Sequence, residues 1–167
     1  MSLVSFIREA GEKLFGKGDA KQAQEAVHAA PTPANVAALS AKAGAAIADY
    51  IRSQGLEVEG LDVTYDAPST TVTVAGIAAD QATKEKVVLC CGNVQSVSAV
   101  NDLMTVKQAT EPEAQWYTVV KGDNLSKIAK QYYGDPNKYP RIFEANKPML
   151  THPDKIYPGQ VLRIPPA

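Results

Sequence analysis

Few residues of this chain belong to the types that do covalent or metal chemistry, and their spacing does not favour it. The two cysteines are neighbours, Cys90-Cys91. A bridge across so short a loop is strained, so they read as small buried apolar residues on a helix. The two histidines, His28 and His152, lie far apart, and neither stands with Cys, Asp or Glu at metal-ligand spacing. No Ser/His/Asp or Cys/His arrangement suggests a nucleophile. Asp80 and Asp102 read as cap and turn residues, and Asp135-Pro136-Asn137 lacks the spaced acidic ligands of a calcium loop. The expectation is a protein that is not an enzyme. Main-chain oxygens remain as a source of binding chemistry. A helix leaves about four carbonyls unpaired at its C-terminus, with partial negative charge. Two such places stand out: the leader around Ile7–Glu12, and Gly92-Asn93-Val94 running into Val97. By residue type alone, the simpler reading of either end is a cap satisfied by its own chain or by water.

The elements that would position these groups follow from periodicity. Phe6, Ala10, Lys13 and Leu14 fall at helical spacing and Gly16 and Gly18 close the run, so residues 1–18 are expected to be an amphipathic helix that docks on the rest. Residues 19–35 read as an Ala/Pro-rich connector, with room for a short helix over Lys21–His28. In 36–108, Val36, Leu39, Ala43, Ile47 and Ile51 mark a helix. Leu61–Tyr65 and Val72–Val74 mark two strands, and Asp80 caps a second helix through Val87, Leu89 and Cys90. Gly92 is the expected left-handed residue after it, and a last strand runs through Val97–Val106. Residues 109–115 read as a linker. In 116–167, Trp116–Val119 is a strand, Leu125, Ile128, Ala129 and Tyr132 mark a helix, and Tyr139, Ile142 and Phe143 mark another. Val161–Ile164 closes the unit as a strand. The fold class is α+β in two small domains, α-β-β-α-β then β-α-α-β, preceded by the short helix.

The second unit carries the most specific motif. Tyr117-Thr118-Val119-Val120-Lys121-Gly122-Asp123-Asn124-Leu125, then Ile142-Phe143-Glu144-Ala145-Asn146, then Ile156-Tyr157-Pro158-Gly159-Gln160-Val161 resemble a LysM domain. The resemblance implies a groove for N-acetylglucosamine glycans at Gly122, Asp123, Asn124 and Leu125 with Ile156, Tyr157 and Pro158. The middle unit resembles a BON domain in its element order and in the run from Val72-Thr73-Val74-Ala75-Gly76 to Gly92-Asn93-Val94; it departs at Ala67-Pro68-Ser69-Thr70, where that family has a glycine turn. Leader, BON-like unit and LysM-like unit in this order are similar to the bacterial cytoplasmic potassium-binding protein family. That resemblance implies reversible K⁺ binding with a change in compactness. It would put main-chain oxygens of Ile7, Ala10, Glu12, Gly92, Val94 and Val97 around the ion. A large, weakly hydrated ion suits a cage of carbonyls, which can replace its water shell.

The composition narrows the partners. The 167 residues carry 17 Lys+Arg and 18 Asp+Glu, a net charge of -1. Residues 1–108 hold nine basic and twelve acidic residues, net -3, and residues 109–167 eight and six, net +2. Neither half has the basic footprint of a nucleic-acid binder. No apolar run approaches the length of a membrane span, and Arg8 and Glu9 interrupt the start before a signal-peptide core can form. The expectation is a cytoplasmic monomer with K⁺ as ligand. Two alternatives accompany it: LysM-mediated peptidoglycan binding, which the missing export signal disfavours, and a protein-interaction adaptor.

Overall fold

Val36, Leu39, Ala43, Ile47 and Ile51 recur every three or four residues because they line one face of a long helix. In the computed structural model, which describes residues 2–7, 11, 14, 18–108 and 112–167, this helix is α2, Pro33–Ser53. Thr32 caps it by accepting the Asn35 N–H at 3.2 Å, and Pro33 occupies the first turn, where its missing N–H costs little. Leu39, Ala43, Ile47 and Ile51 are buried. Helix α1, Gly18–Ala29, packs along α2 and occupies much of the expected connector. Ala23 and Val27 give it an apolar face against the core, and the prolines interrupt helix only between α1 and α2.

Strands β2, Val58–Asp66, and β3, Thr71–Asp80, form an antiparallel hairpin over α2. Asp80 then caps α3, Gln81–Gly92, by accepting the Thr83 N–H at 2.7 Å. The single strand expected through Val97–Val106 is two: β4, Ala99–Asp102, and β5, Thr105–Gln108, both parallel to β3. The break has a cause in Asp102, whose carboxylate accepts the Met104 N–H at 2.9 Å and bends the chain while Leu103 N–H goes to Val74 C=O.

The leader also departs from expectation. Ser2–Ser5 is strand β1, antiparallel to β4 at the end of the order β1-β4-β3-β2. Four residues gain little as helix, where nucleation dominates, whereas β4 offers a ready row of backbone partners. Most of the rest of the expected helix over 1–18 lies outside the described residues.

The C-terminal unit follows the expected β-α-α-β order. Strand β6, Gln115–Thr118, pairs antiparallel with β7, Val161–Ile164. Helices α4, Leu125–Tyr133, and α5, Tyr139–Ala145, pack on them through Leu125, Ile128, Ala129, Ile142 and Leu162. Among the described residues no helix is long and apolar enough to cross a membrane.

The two units are joined by buried polar contacts. Arg163 Nε on β7 donates to Glu85 Oε2 on α3, and both side chains are nearly inaccessible, at 6% and 5%. The other Glu85 oxygen accepts Gln81 Nε2 at 2.8 Å and Ala114 N–H at 2.9 Å. Further along α3, Asn93 clamps the start of β7: its amide donates to Val161 C=O at 2.8 Å and its oxygen accepts Val161 N–H at 2.9 Å. Removing one partner of a buried pair strands the other charge, so Glu85→Ala is expected to destabilise the protein by about 3–5 kcal/mol in urea unfolding. Glu85→Leu with Arg163→Met, which strands neither charge, should lose clearly less.

Candidate functional site

Helix α3 ends where the three parts of the chain meet. Its C-cap Asn93 donates its N–H to Leu89 C=O at 2.9 Å. The chain then turns sharply, with Val97 N–H on Val94 C=O at 3.1 Å. Ser96, at the third position of that turn, has φ 82, a left-handed backbone that costs a residue other than glycine about 1 kcal/mol or more. Tyr65 helps to hold it, donating its hydroxyl to Ser96 C=O at 3.0 Å. Gly92, Val94 and Val97 are buried.

The N-terminal segment crosses this turn. Phe6 N–H donates to Ser98 C=O at 2.8 Å, extending the β1–β4 pairing by one step and bringing Ile7 to the level of Val97. The Phe6 ring lies on Gly92, where a Cβ would fall 2.0 Å from Cζ. Gly11 has φ +113, and a Cβ there would fall 2.3 Å from the Asn93 carbonyl oxygen. The structure therefore brings Ile7 together with the Gly92, Val94 and Val97 stretch. Ala10 and Glu12 lie outside the described residues. The left-handed residue is Ser96 rather than Gly92, which sits in α3 and is glycine because an aromatic ring occupies the place of its side chain.

Around this helix end the carbonyls of Leu89, Val94, Ser96 and Ser98 accept hydrogen bonds from described residues. Val94 C=O, which accepts the Val97 N–H, is one of these. Among the described residues, no three His, Cys, Asp or Glu side chains gather as metal ligands. Main-chain oxygens at the negative end of a helix dipole suit a monovalent cation better than a transition metal. The neighbouring thiols take no part: burial pushes Cys90 up to about 12 and Cys91 well above its ordinary value.

The second set of candidates is arranged differently. Asp123 is committed to its own loop, accepting the Tyr117 hydroxyl at 2.6 Å and Val120 N–H at 3.0 Å. Asn124 caps α4 through Lys127 N–H, Gly122 C=O accepts Lys127 Nζ, and Leu125 is core. Ile156 packs on that core and Pro158 is exposed. Tyr157 lines a groove of about 210 Å³ shared with Tyr50, Asn93 and Met149, so this side of the loop faces the larger unit. Three features escape sequence reasoning: the ring on Gly92, the Asn93 clamp and the strained Ser96. Only Asn93, a polar residue directly after an apolar helix, carried a signal that could have found it.

Comparison with known proteins gives the class first. Residues 117–165 match the LysM domain family, so the protein is a two-unit α+β chain ending in a LysM domain. A segment of 49 residues, 29% of the chain, is 55% identical to an uncharacterized protein of Deinococcus radiodurans and covers 19% of it. Over nearly its whole length the chain is 41% identical to the potassium binding protein Kbp of Escherichia coli O6:H1, across 174 residues covering 99% of each. The chain belongs to the Kbp family.

Gly92→Ala is expected to displace the Phe6 ring, and hydrogen exchange should show about tenfold or greater loss of protection across Ser2–Ser5 with the LysM domain unchanged. The Tyr117–Asp123 bond favours the neutral phenol and, with burial, pushes Tyr117 up to about 12. Ultraviolet titration should show a tyrosine ionising near that pH, reverting toward about 10 in Asp123→Ala. The support this bond lends the fold is present at neutral pH and is lost as pH rises from the free-phenol value through the folded one.

Proposed function

We propose that the chain is a cytoplasmic, non-catalytic K⁺-binding protein, a sensor or buffer that becomes more compact on taking up the ion. K⁺ binding agrees with full-length membership of the Kbp family. The proposed ligands are main-chain oxygens of Ile7, Ala10, Glu12, Gly92, Val94 and Val97. The observation that carries the reading is the convergence of three parts on one stretch, residues 92–98. The leader touches it through Phe6 and Gly11, α3 ends in it, and the LysM domain is clamped to it through Asn93. An ion held there favours the arrangement in which all three are docked, and that preference is the compaction. Peptidoglycan binding is the weaker reading, because Asp123 is engaged within its own loop and Tyr157 faces the larger unit.

Binding to the folded form alone stabilises it by mass action, by about 2.7 kcal/mol at a hundredfold excess over Kd. The melting temperature should therefore climb with KCl and stay nearly flat with NaCl at matched ionic strength. Equal responses to the two salts would refute the reading. Gly11→Ala forces a left-handed alanine against the Asn93 carbonyl and is expected to weaken K⁺ about tenfold or more by calorimetry, while the LysM domain keeps its amide spectrum.

A further inference from the structure

The seam between the units contains a second cavity, nearer the start of α3, of about 560 Å³. Lys86 on α3, Arg163 on β7 and Arg141 on α5 line it from three separate elements. The tail forms another wall, held where the Tyr133 hydroxyl donates to Pro165 C=O and Arg141 Nη2 to Pro166 C=O, both at 2.6 Å. The cations are not neutralised equally. Arg163 is paired with Glu85. Lys86 forms no ion pair among the described residues; Glu144 also lines the cavity, but it is engaged by Lys147 at 2.6 Å, and it and Asp80 act on Lys86 only at longer range. Partial burial, with the Arg163 charge adding to it, lowers the Lys86 pKa. A half-buried ammonium beside a guanidinium, with no carboxylate at ion-pair distance among the described residues, is an unfavourable arrangement that a bound anion would relieve.

We propose that this cavity binds the phosphoryl group of a small anion, bridging Lys86 of the larger unit to Arg141 and Arg163 of the LysM domain. A tetrahedral dianion accepts donors from several directions at once, whereas a carboxylate is satisfied by one planar fork. The volume leaves room for a small organic body beyond the phosphate.

The test holds K⁺ and ionic strength constant and follows melting temperature against inorganic phosphate, ribose 5-phosphate and acetate. Phosphate at 10 mM, an amount chosen as roughly ten times a millimolar Kd, is expected to raise the melting temperature by about 3 °C. The rise should vanish in Lys86→Gln with Arg141→Gln. Arg163 is left intact because it holds the fold. Saturation at lower ribose 5-phosphate than phosphate would support an organic phosphate as ligand, and equal saturation would support inorganic phosphate. A rise that survives in the double variant would be a general salt effect and would overturn the proposal. So would acetate acting as well as phosphate. Should the double variant fail to fold, amide shifts of the unaltered protein decide: saturable movement at Ala82, Lys86 and Ala145 supports the site, and movement elsewhere or none refutes it.

Discussion

The buried pair between Glu85 and Arg163 is the contact on which the rest of the arrangement turns. Each charge gives up water, and the attraction between them offsets that loss only where geometry is good and remaining hydrogen-bonding capacity is used. Here it is used: one Glu85 oxygen takes the guanidinium, and the other takes Gln81 and the Ala114 backbone. The pair fixes β7 against α3 with a directionality that apolar packing alone would lack. With β7 so placed, Asn93 meets the Val161 backbone as a neighbouring strand would, and the end of α3 becomes part of the domain seam.

That placement bears on the ion site proposed at residues 92–98. The surrounding side chains, Phe6, Val94 and Val97, are apolar and buried, so they keep water away without supplying charge of their own. Backbone groups at the turn are oriented by the end of a helix and by a left-handed serine, beside the side chains of Asn93 and Tyr65. If the ion is held there by dipoles as proposed, a divalent ion would gain little compensation for its hydration shell, while K⁺ would lose less on entering. The near-neutral chain of 167 residues, net charge -1, fits that design.

Legibility in the sequence followed the range of the interactions. The LysM domain was readable because its signals are local: a strand, the Gly122-Asp123-Asn124 turn with its cap, an apolar stripe, and a second strand after Pro158-Gly159. Helix α2 was readable from periodicity alone. Strand β1 was not, because Ser-Leu-Val-Ser is too short to show alternation and runs into residues with helical spacing; only the open side of β4 decides its conformation. The break between β4 and β5 depends on one Asp102 hydrogen bond. Of the candidate site, family resemblance supplied the positions, since carbonyl oxygens have no residue signature. The reason for Gly92 is a tertiary contact with Phe6, which nothing in its own neighbourhood announces.

Strand β1 is also a shield. The order β1-β4-β3-β2 places β4 inside the sheet only while Ser2–Ser5 lies alongside it. Any event that lifts those four residues turns β4 into an open edge, a row of unpaired amides and carbonyls next to the buried Val100. Open edges are templates for pairing with another chain. While Ser2–Ser5 is paired, the sheet ends instead on β1, a strand of four residues that carries the edge away from the buried Val100.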